Sequence, residues 1–378
     1  HRQPALSGLQ PSVRPALAGG CMGVEPTAKV EAPERLERLG IQGVRLNAHA
    51  SAGQSWTDRW LQAGQRWLSM EAPFSAHPRR CATTGQVSNF GLQVAPVPTL
   101  LVYCIDPQGK LQSTRQIRLP RVAFMHDFVL TANHAVFFMT PVRFDVGRAL
   151  LGLSSPVESI RRAPGVPTEI LLVPRDGGAV RRIALDAGFF LFHFFNAFEA
   201  NDTVVVDGCR MDDFPGGTVD LSDIEAVRRV TLDPGYPTRW RINLSDGTVS
   251  TTRLSEIPME LPTIDPRRSA VAHRFGYATA RLREGPPVYT GLARIDFTHG
   301  TVWTRDFSPD LPGEPMLLPL GDDEGEGVLA SVIYRAAEHV SELTLLDPEN
   351  LQTVARARLP HHQPPGFHGD FQRSDGPG

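Results

Sequence analysis

The chain has 378 residues, 41% of them hydrophobic, which is enough to bury a large core. A formal net charge of -3 and a sequence pI near 6.5 leave no basic stripe, which argues against nucleic acid as a partner. The longest apolar run, about ten residues around His193, is half of what a membrane-spanning helix needs, so a soluble protein that at most docks on a surface is expected.

With Gly 34 and Pro 33 spread along its length, the chain suits a turn-dense architecture better than a helical one. Cys21, Cys81, Cys104 and Cys209 lie far apart and form no CxxC pair, which disfavours a zinc ribbon or a redox motif. They read as scattered, reduced thiols of a cytoplasmic protein. The start, His-Arg-Gln-Pro, offers no apolar stretch that reads as a signal peptide.

Residues 1–20 read as an irregular Pro-, Ala- and Gly-rich arm, 21–372 as the folded body and 373–378 as a tail. Ala32 to Gly40 suggests a short helical turn. Ser55 to Met70 places Trp56, Trp60 and Trp67 at helical spacing behind a Ser55 cap, the pattern of a helix burying an aromatic stripe. From about residue 87 the pattern becomes one of paired short strands.

Thr99–Ile105 turns at Asp106-Pro-Gln-Gly109, and Val122–Leu130 turns at Thr131–His134 into Ala135–Met139. Glu169–Pro174 meets Arg175-Asp-Gly-Gly178, and Phe189–Phe198 turns at Glu199–Asp202 into Thr203–Asp207. Arg239–Leu244 turns at Ser245-Asp-Gly247, and Ala293–Phe297 at Thr298-His-Gly300. Gly327–Tyr334 precedes Glu342–Leu346 and an Asp347–Asn350 turn. Repeated antiparallel hairpins predict an all-β fold of stacked sheets, a large barrel or a propeller.

Four histidines stand in marked settings: His77 in Phe-Ser-Ala-His-Pro, His126 in Phe-Met-His-Asp-Phe, His193 in Phe-Leu-Phe-His-Phe-Phe, and His368 in Gly-Phe-His-Gly-Asp-Phe. A lone imidazole in an apolar run usually bonds a backbone carbonyl. Four of them, brought together from different hairpins, make a nitrogen site for iron, copper, zinc or nickel. Neutral ligands leave a divalent metal its full charge, which favours an oxygen species at any open position. A radial fold makes such a meeting easy, because each blade's inner strand lies beside one axis. His134, His273, His299, His339, His361 and His362 sit in turns or polar stretches and are expected to face solvent. Asp127 is expected to point away from its neighbour His126, as alternate residues of a strand do. Asn196 and Glu199 are read as orienting the His193 segment.

The segments around these histidines carry a resemblance. Ser75-Ala-His77-Pro with Thr84-Gly-Gln, Met125-His126-Asp-Phe-Val-Leu-Thr131, Phe192-His193 to Glu199, Met259-Glu260-Leu-Pro to Pro266, Gly313-Glu314-Pro315 and Gly366-Phe-His368-Gly-Asp-Phe371 follow in order. Together they resemble the signature segments of the carotenoid cleavage oxygenases, a family that includes stilbene-cleaving dioxygenases and a retinoid isomerase.

The resemblance implies a seven-bladed β-propeller with Fe(II) on its axis, held by His77, His126, His193 and His368. It implies glutamates that accept the proton on the far nitrogen of a ligand histidine, fixing its tautomer. Glu260 and Glu314 match that pattern, as partners of His193 and His368, and Glu25 is the nearest candidate for His126. Without the resemblance Glu260 reads as a strand-end charge and Glu314 as a loop acid.

The implied reaction is O2-dependent cleavage of a conjugated C=C bond in an apolar substrate, a carotenoid, an apocarotenoid or a stilbene. Among Phe124, Phe128, Phe192, Phe194, Phe195 and Phe198, those on the ligand side line its path and the others pack between sheets. The segment Phe137 to Leu153, with Val142, Phe144, Leu150, Leu151 and Leu153, matches an apolar lip that would touch a membrane peripherally. The chain departs from the family in its short lead-in and between Gly40 and Phe74, so a first or last blade lacking strands is expected. The residues alone also allow a propeller that binds an apolar ligand or a protein without catalysis, or a zinc or copper hydrolase.

Overall fold

Runs of Val, Ile, Leu and Phe bounded by Asp-, Asn- and Gly-bearing turns fold here as antiparallel strands. The computed structural model describes residues 30–31, 73–93, 97–144, 160–213, 233–284, 288–360, 362–363, 366 and 368–369. Within them the only helical element is a single 3-10 turn, Pro266–Arg268. The expected helical stretches at 32–40 and 55–70, Cys21, Glu25 and Leu150, Leu151 and Leu153 lie outside the described residues, as do residues 1–20 and 373–378.

Strand β1 (Val30–Glu31) comes first. Strands β2 (Arg79–Arg80), β3 (Val87–Gln93), β4 (Thr99–Ile105) and β5 (Leu111–Arg118) form a four-stranded meander. Strands β6 (Val129–Leu130) and β7 (His134–Met139) begin a second sheet, interrupted by the ribbon of β8 (Val142–Phe144) and β9 (Ile160–Arg162) and completed by β10 (Glu169–Pro174) and β11 (Arg181–Ala184). The third sheet is β12 (Phe190–Ala200), β13 (Thr203–Met211), β14 (Tyr236–Asn243) and β15 (Val249–Arg253). The fourth is β16 (Met259–Ile264), β17 (Phe275–Ala280), β18 (Gly291–Asp296) and β19 (Thr301–Asp306).

In the fifth, β20 (Leu311–Pro312) and β21 (Met316–Pro319) share one edge of β22 (Gly327–Arg335), followed by β23 (Val340–Leu346) and β24 (Thr353–Arg358). There β1 pairs with β24, Val30 opposite Ala357, so a strand from early in the chain joins the sheet built by its end. The first strands of successive sheets lie side by side: β2 touches β6, β6 touches β12, β12 touches β16 and β16 touches β21. Meanders in chain order, with neighbouring inner strands and an early strand joined to the last sheet, are blades of a β-propeller. Five blades fall within the described residues.

Period-2 alternation supplies the mortar. On β7, Phe137 packs with Phe90, Leu100 and Phe128 between the first two blades. Its neighbour Phe138 packs with Ile170, Phe194 and Trp240 between the second and third. On β12, Phe194 joins that second cluster, while Phe195 joins Cys209, Ile295 and Phe297 between the third and fourth. Both faces of β7 and β12 are buried, which is why these runs read as continuous hydrophobic stretches, while the outer strands β5, β15 and β19 are largely exposed.

The turn at Thr131–His134 is fastened to the third blade by Glu199. Its carboxylate accepts from the Thr131 hydroxyl, the Asn133 amide groups and His134 Nδ1, the last at 2.9 Å. Burial works against that charge, but these donors outweigh it and bring the carboxyl down from 4.5 to about 2. A depressed carboxyl contributes stability that is present above pH 4.5 and lost as pH falls toward 2. Glu199→Gln should therefore cost on the order of 1–3 kcal/mol at neutral pH, since a tenfold change in proton affinity is worth about 1.4 kcal/mol. That cost should fade between pH 4.5 and 2, and denaturant unfolding of both proteins across this range checks it. A cost that does not change with pH would contradict this role.

Candidate metal centre

Each of the four marked histidines sits where an inner strand starts, breaks or is met by a loop. His77 lies just before β2, its N–H bonded to Ser75 Oγ at 3.2 Å. His126 lies before β6. The run Val122–Leu130, expected to be one strand, pairs only at Val129–Leu130. Immediately before the paired residues the Asp127 carboxylate takes the Phe128 N–H at 2.7 Å, removing it from any ladder.

His193 is inside β12, where the register against β13 shifts between Leu191 and Phe194 and again before Asn196. A bulge of this kind turns a side chain out of the strand's alternation. Gly208, opposite Phe194, makes room for it: a Cβ there would stand 2.9 Å from the Phe194 ring and 3.3 Å from His193 O. His368 follows β24 and comes back beside the β20–β21 edge, where Gly369 N–H donates to Glu314 Oε2 at 2.7 Å.

The four rings meet. One nitrogen from each lies within 4.8 Å of all the others. Ring centroids are 4.6 Å apart for His77 with His126 and for His77 with His368, 5.0 Å for His126 with His193, and 4.8 Å for His193 with His368. His77 Nε2 and His126 Nε2 are 3.0 Å apart. His193 is buried and the other three are half-buried.

The far nitrogens meet carboxylates. His193 Nδ1 lies 2.6 Å from Glu260 Oε2, which also accepts from Leu261 N–H at 2.8 Å. His368 Nδ1 lies 3.0 Å from Glu314 Oε1. A carboxylate on Nδ1 holds the proton there and leaves the Nε2 lone pair facing the centre. His193 Nε2 is buried and has no hydrogen-bond partner in the protein. Such an acceptor is costly unless something answers it.

Burial lowers His77 to about 3, against the pull of Asp127, and His193 and His126 lower it further. Burial likewise lowers His126 to about 4, with His193 acting in the same direction. For His193, burial is outweighed by Glu260, Asp127 and Glu314, and the net shift is upward. Four nitrogen donors with no carboxylate among them fit iron, cobalt, nickel, copper or zinc.

Phe124 and Phe192 are the half-buried aromatics beside the centre. The Phe124 ring stacks on His126 at 6.2 Å and the Phe192 ring meets it edge-on at 5.4 Å. Phe128, Phe194 and Phe195 are instead packed between blades. Asp127 points away from the centre, as expected, and pairs with Arg79. Burial opposes its charge, but Arg79 and His77 hold the carboxyl below its usual range.

His273 corrects an expectation: its side chain is fully buried, not solvent-facing. It lies 3.4 Å from Asp207 Oδ2 and 3.2 Å from Asn196 Nδ2, with its ring against Phe297. Polar partners on another blade make burial tolerable there. His134 is half-buried on Glu199, while His299, His339 and His362 do lie at the surface and His361 is outside the described residues. Asn196 ties β12 to the carbonyls of Arg268 and Val271 and to the N–H of Ala270, and Glu199 holds the neighbouring turn. Sequence reasoning missed Arg79, whose signal was a cation two residues beyond a marked histidine.

Fold and site together define a β-propeller whose inner strands bring four histidines into one metal-binding constellation. Residues 36–373 match the family described as retinal pigment epithelial membrane protein, and the chain belongs to that family. It is 33% identical over 319 residues to the apocarotenoid-15,15'-oxygenase of Synechocystis sp., an overlap of 81% of this chain and 65% of that protein. It is 28% identical to the isoeugenol monooxygenase of Pseudomonas putida, over 79% of this chain and 65% of the relative. A chloroplastic 9-cis-epoxycarotenoid dioxygenase of Oryza sativa subsp. japonica is 27% identical, over 93% of this chain and 55% of the relative. The chain thus spans less than two thirds of these relatives' length. Among solved structures, cobalt-substituted Synechocystis apocarotenoid oxygenase superposes with a TM-score of 0.77 at 30% identity, covering 88% of this chain and 71% of the other.

For the metal-free protein, His126 sets a pH dependence. A histidine whose folded pKa is depressed contributes stability that is present above pH 6.5 and lost as pH falls toward about 4. His126→Gln should remove on the order of 1–3 kcal/mol of that acid-induced loss, by the same conversion of proton affinity into free energy. In melting curves of the two proteins in chelator, the difference between them should move in the variant's favour as pH falls from 7 to 4. A difference that stays constant across that range would contradict it.

Proposed function

We propose that this chain is the propeller of an iron(II)-dependent oxygenase that splits a conjugated C=C bond of a carotenoid or apocarotenoid with O2. The observation that carries the proposal is the set of four neutral-ligand nitrogens, two of them fixed in tautomer by Glu260 and Glu314. The names of its relatives, apocarotenoid oxygenase and epoxycarotenoid dioxygenase, support the substrate class. The cobalt-substituted relative of the same fold supports a first-row transition metal at such a centre.

His77, His126, His193 and His368 would hold the ion. Glu260 and Glu314 would keep the proton of two of them on Nδ1, so that both rings act as neutral donors. Iron(II), when bound, supplies the activation of O2. Phe124 and Phe192 present apolar faces beside His126 and would seat a flat polyene without offering it a hydrogen bond. Holding one double bond over the centre is a positioning task, which can carry much of a rate enhancement. Each oxygen atom of O2 ends in one of two carbonyl products, so no external reductant is consumed.

A phenolic, stilbene-type alkene is the second reading, favoured by the likeness to isoeugenol monooxygenase. A cytoplasmic setting, with peripheral membrane contact through the segment bearing Leu150 and Leu151, goes with the carotenoid reading. In that case Leu150→Ser with Leu151→Ser should at least halve co-sedimentation with phosphatidylcholine liposomes.

The main test supplies iron(II)-loaded protein with an apocarotenal, and in parallel with isoeugenol, under 18O2 and under argon. We expect aldehyde release only with oxygen, with label in both products, and loss of both iron and activity in His193→Ala. Glu314→Gln should lower iron affinity about 10- to 100-fold. Turnover under argon would overturn the oxygenase reading. Stoichiometric iron without turnover of either alkene would favour a binding propeller.

A further inference from the structure

A buried ion pair lies directly behind the histidine cluster. The Asp127 side chain is fully buried, and Arg79 beside it is 24% exposed. Arg79 Nη2 bonds Asp127 Oδ2, and Arg79 Nε donates to Asp127 Oδ1 at 3.2 Å. The pair also grips main chain. Arg79 Nε donates to Phe128 O at 3.0 Å and Arg79 Nη2 to Phe194 O at 3.2 Å. Asp127 accepts from Phe128 N–H at 2.7 Å on one oxygen and from Phe194 N–H at 3.1 Å on the other.

The positions of these residues matter. Arg79 is two residues from His77, Asp127 follows His126, and Phe194 follows His193. They belong to three different blades, whose inner strands β2, β6 and β12 are neighbours. Glu260 and Glu314 hold the rings of His193 and His368. The Arg79–Asp127 pair instead holds the backbone that carries His77, His126 and His193. A buried ion pair is seldom worth more in stability than apolar residues of the same size. Its planar fork and six directed bonds do something apolar packing does not, which is to fix direction as well as distance.

We propose that Arg79 and Asp127 are positioning residues that set the mutual geometry of His77, His126 and His193, and through it the affinity of the metal centre. The inference rests on the metal-centre reading above, but not on which alkene is cleaved. Neither residue touches the ion or the substrate. Lysine at position 79 keeps the charge but lacks the fork, so it cannot reach both Asp127 oxygens and both carbonyls at once. Asparagine at 127 keeps the shape but turns one of two acceptors into a donor, which then faces Arg79 together with either Phe128 N–H or Phe194 N–H.

The test uses Co(II) as the probe, because its visible absorption reports ligand geometry directly. Wild type, Arg79→Lys, Asp127→Asn and, as a surface control, Arg283→Lys are titrated with Co(II) after their folding has been checked by circular dichroism and melting. We expect Arg79→Lys and Asp127→Asn to bind Co(II) about 10- to 100-fold more weakly than wild type, with shifted absorption bands, while the control is unchanged. Lower melting temperatures with wild-type Co(II) affinity and bands would make the pair a plain brace between blades and overturn the inference. Should Asp127→Asn fail to fold, Arg79→Lys alone decides by the same two readouts. Wild-type protein that binds no Co(II) would overturn the metal-centre reading itself, a result distinct from tight binding that ignores the pair.

Discussion

Four imidazole lone pairs facing one point is the condition everything else must satisfy. Nothing in the rings favours it. Free in water, each nitrogen would accept a hydrogen bond, and protonated rings at these distances repel. The protein enforces the meeting from behind. Glu260 and Glu314 take the protons on the outer nitrogens of His193 and His368, and each also takes a main-chain N–H, from Leu261 and Gly369. A divalent cation held at the meeting point would turn that repulsion into four attractive contacts.

Propeller blades make such convergence awkward as well as possible. Along a regular strand, successive side chains face opposite sides of the sheet, and in this ring both sides are packed against neighbouring blades. Phe194 and Phe195 illustrate this, one serving each adjoining core. A residue that must reach the centre therefore has to sit where alternation fails. His193 is in a bulge of β12, and Glu260 is beside a register shift in β16 where Leu261 adopts φ 51. A positive φ at a non-glycine residue costs on the order of 1–3 kcal/mol and persists where the surroundings demand it. Glu314 occupies the gap between β20 and β21, and His77 and His126 precede their strands. Chemistry and irregular backbone coincide because the regular stretches of strands such as β7 and β12 are committed to packing on both faces.

That division also explains what could be read from the chain. The hairpins were legible because turn residues such as Asp106-Pro-Gln-Gly109 and Ser245-Asp-Gly247 act locally. The stretch Val122–Leu130 misled because a buried irregular segment is as apolar as a strand, and only its hydrogen bonds tell them apart. His273 misled for the opposite reason: its flanks look like a surface turn, while the partners that make it a core residue, Asp207 and Asn196, come from another blade. The four histidines stood out singly by their settings. Their meeting rested on a resemblance across six segments, since no local spacing can express contact between residues as distant as His193 and His368.

Charge is arranged around the centre with the same separation of roles. All four ligand candidates are neutral groups, so an ion held by them keeps its full Lewis acidity toward a small molecule. Bare charge in a half-buried site is nevertheless costly. Among the described residues, the compensation lies one layer out, in Asp127, Glu260 and Glu314, each within one residue or one hydrogen bond of a ring. With Arg79 cancelling one of them, two of these carboxylates remain, opposite in sign to a metal ion. Carboxylates behind the imidazoles rather than on an ion would offset its charge without quenching it. A direct carboxylate ligand at any one position would surrender that advantage.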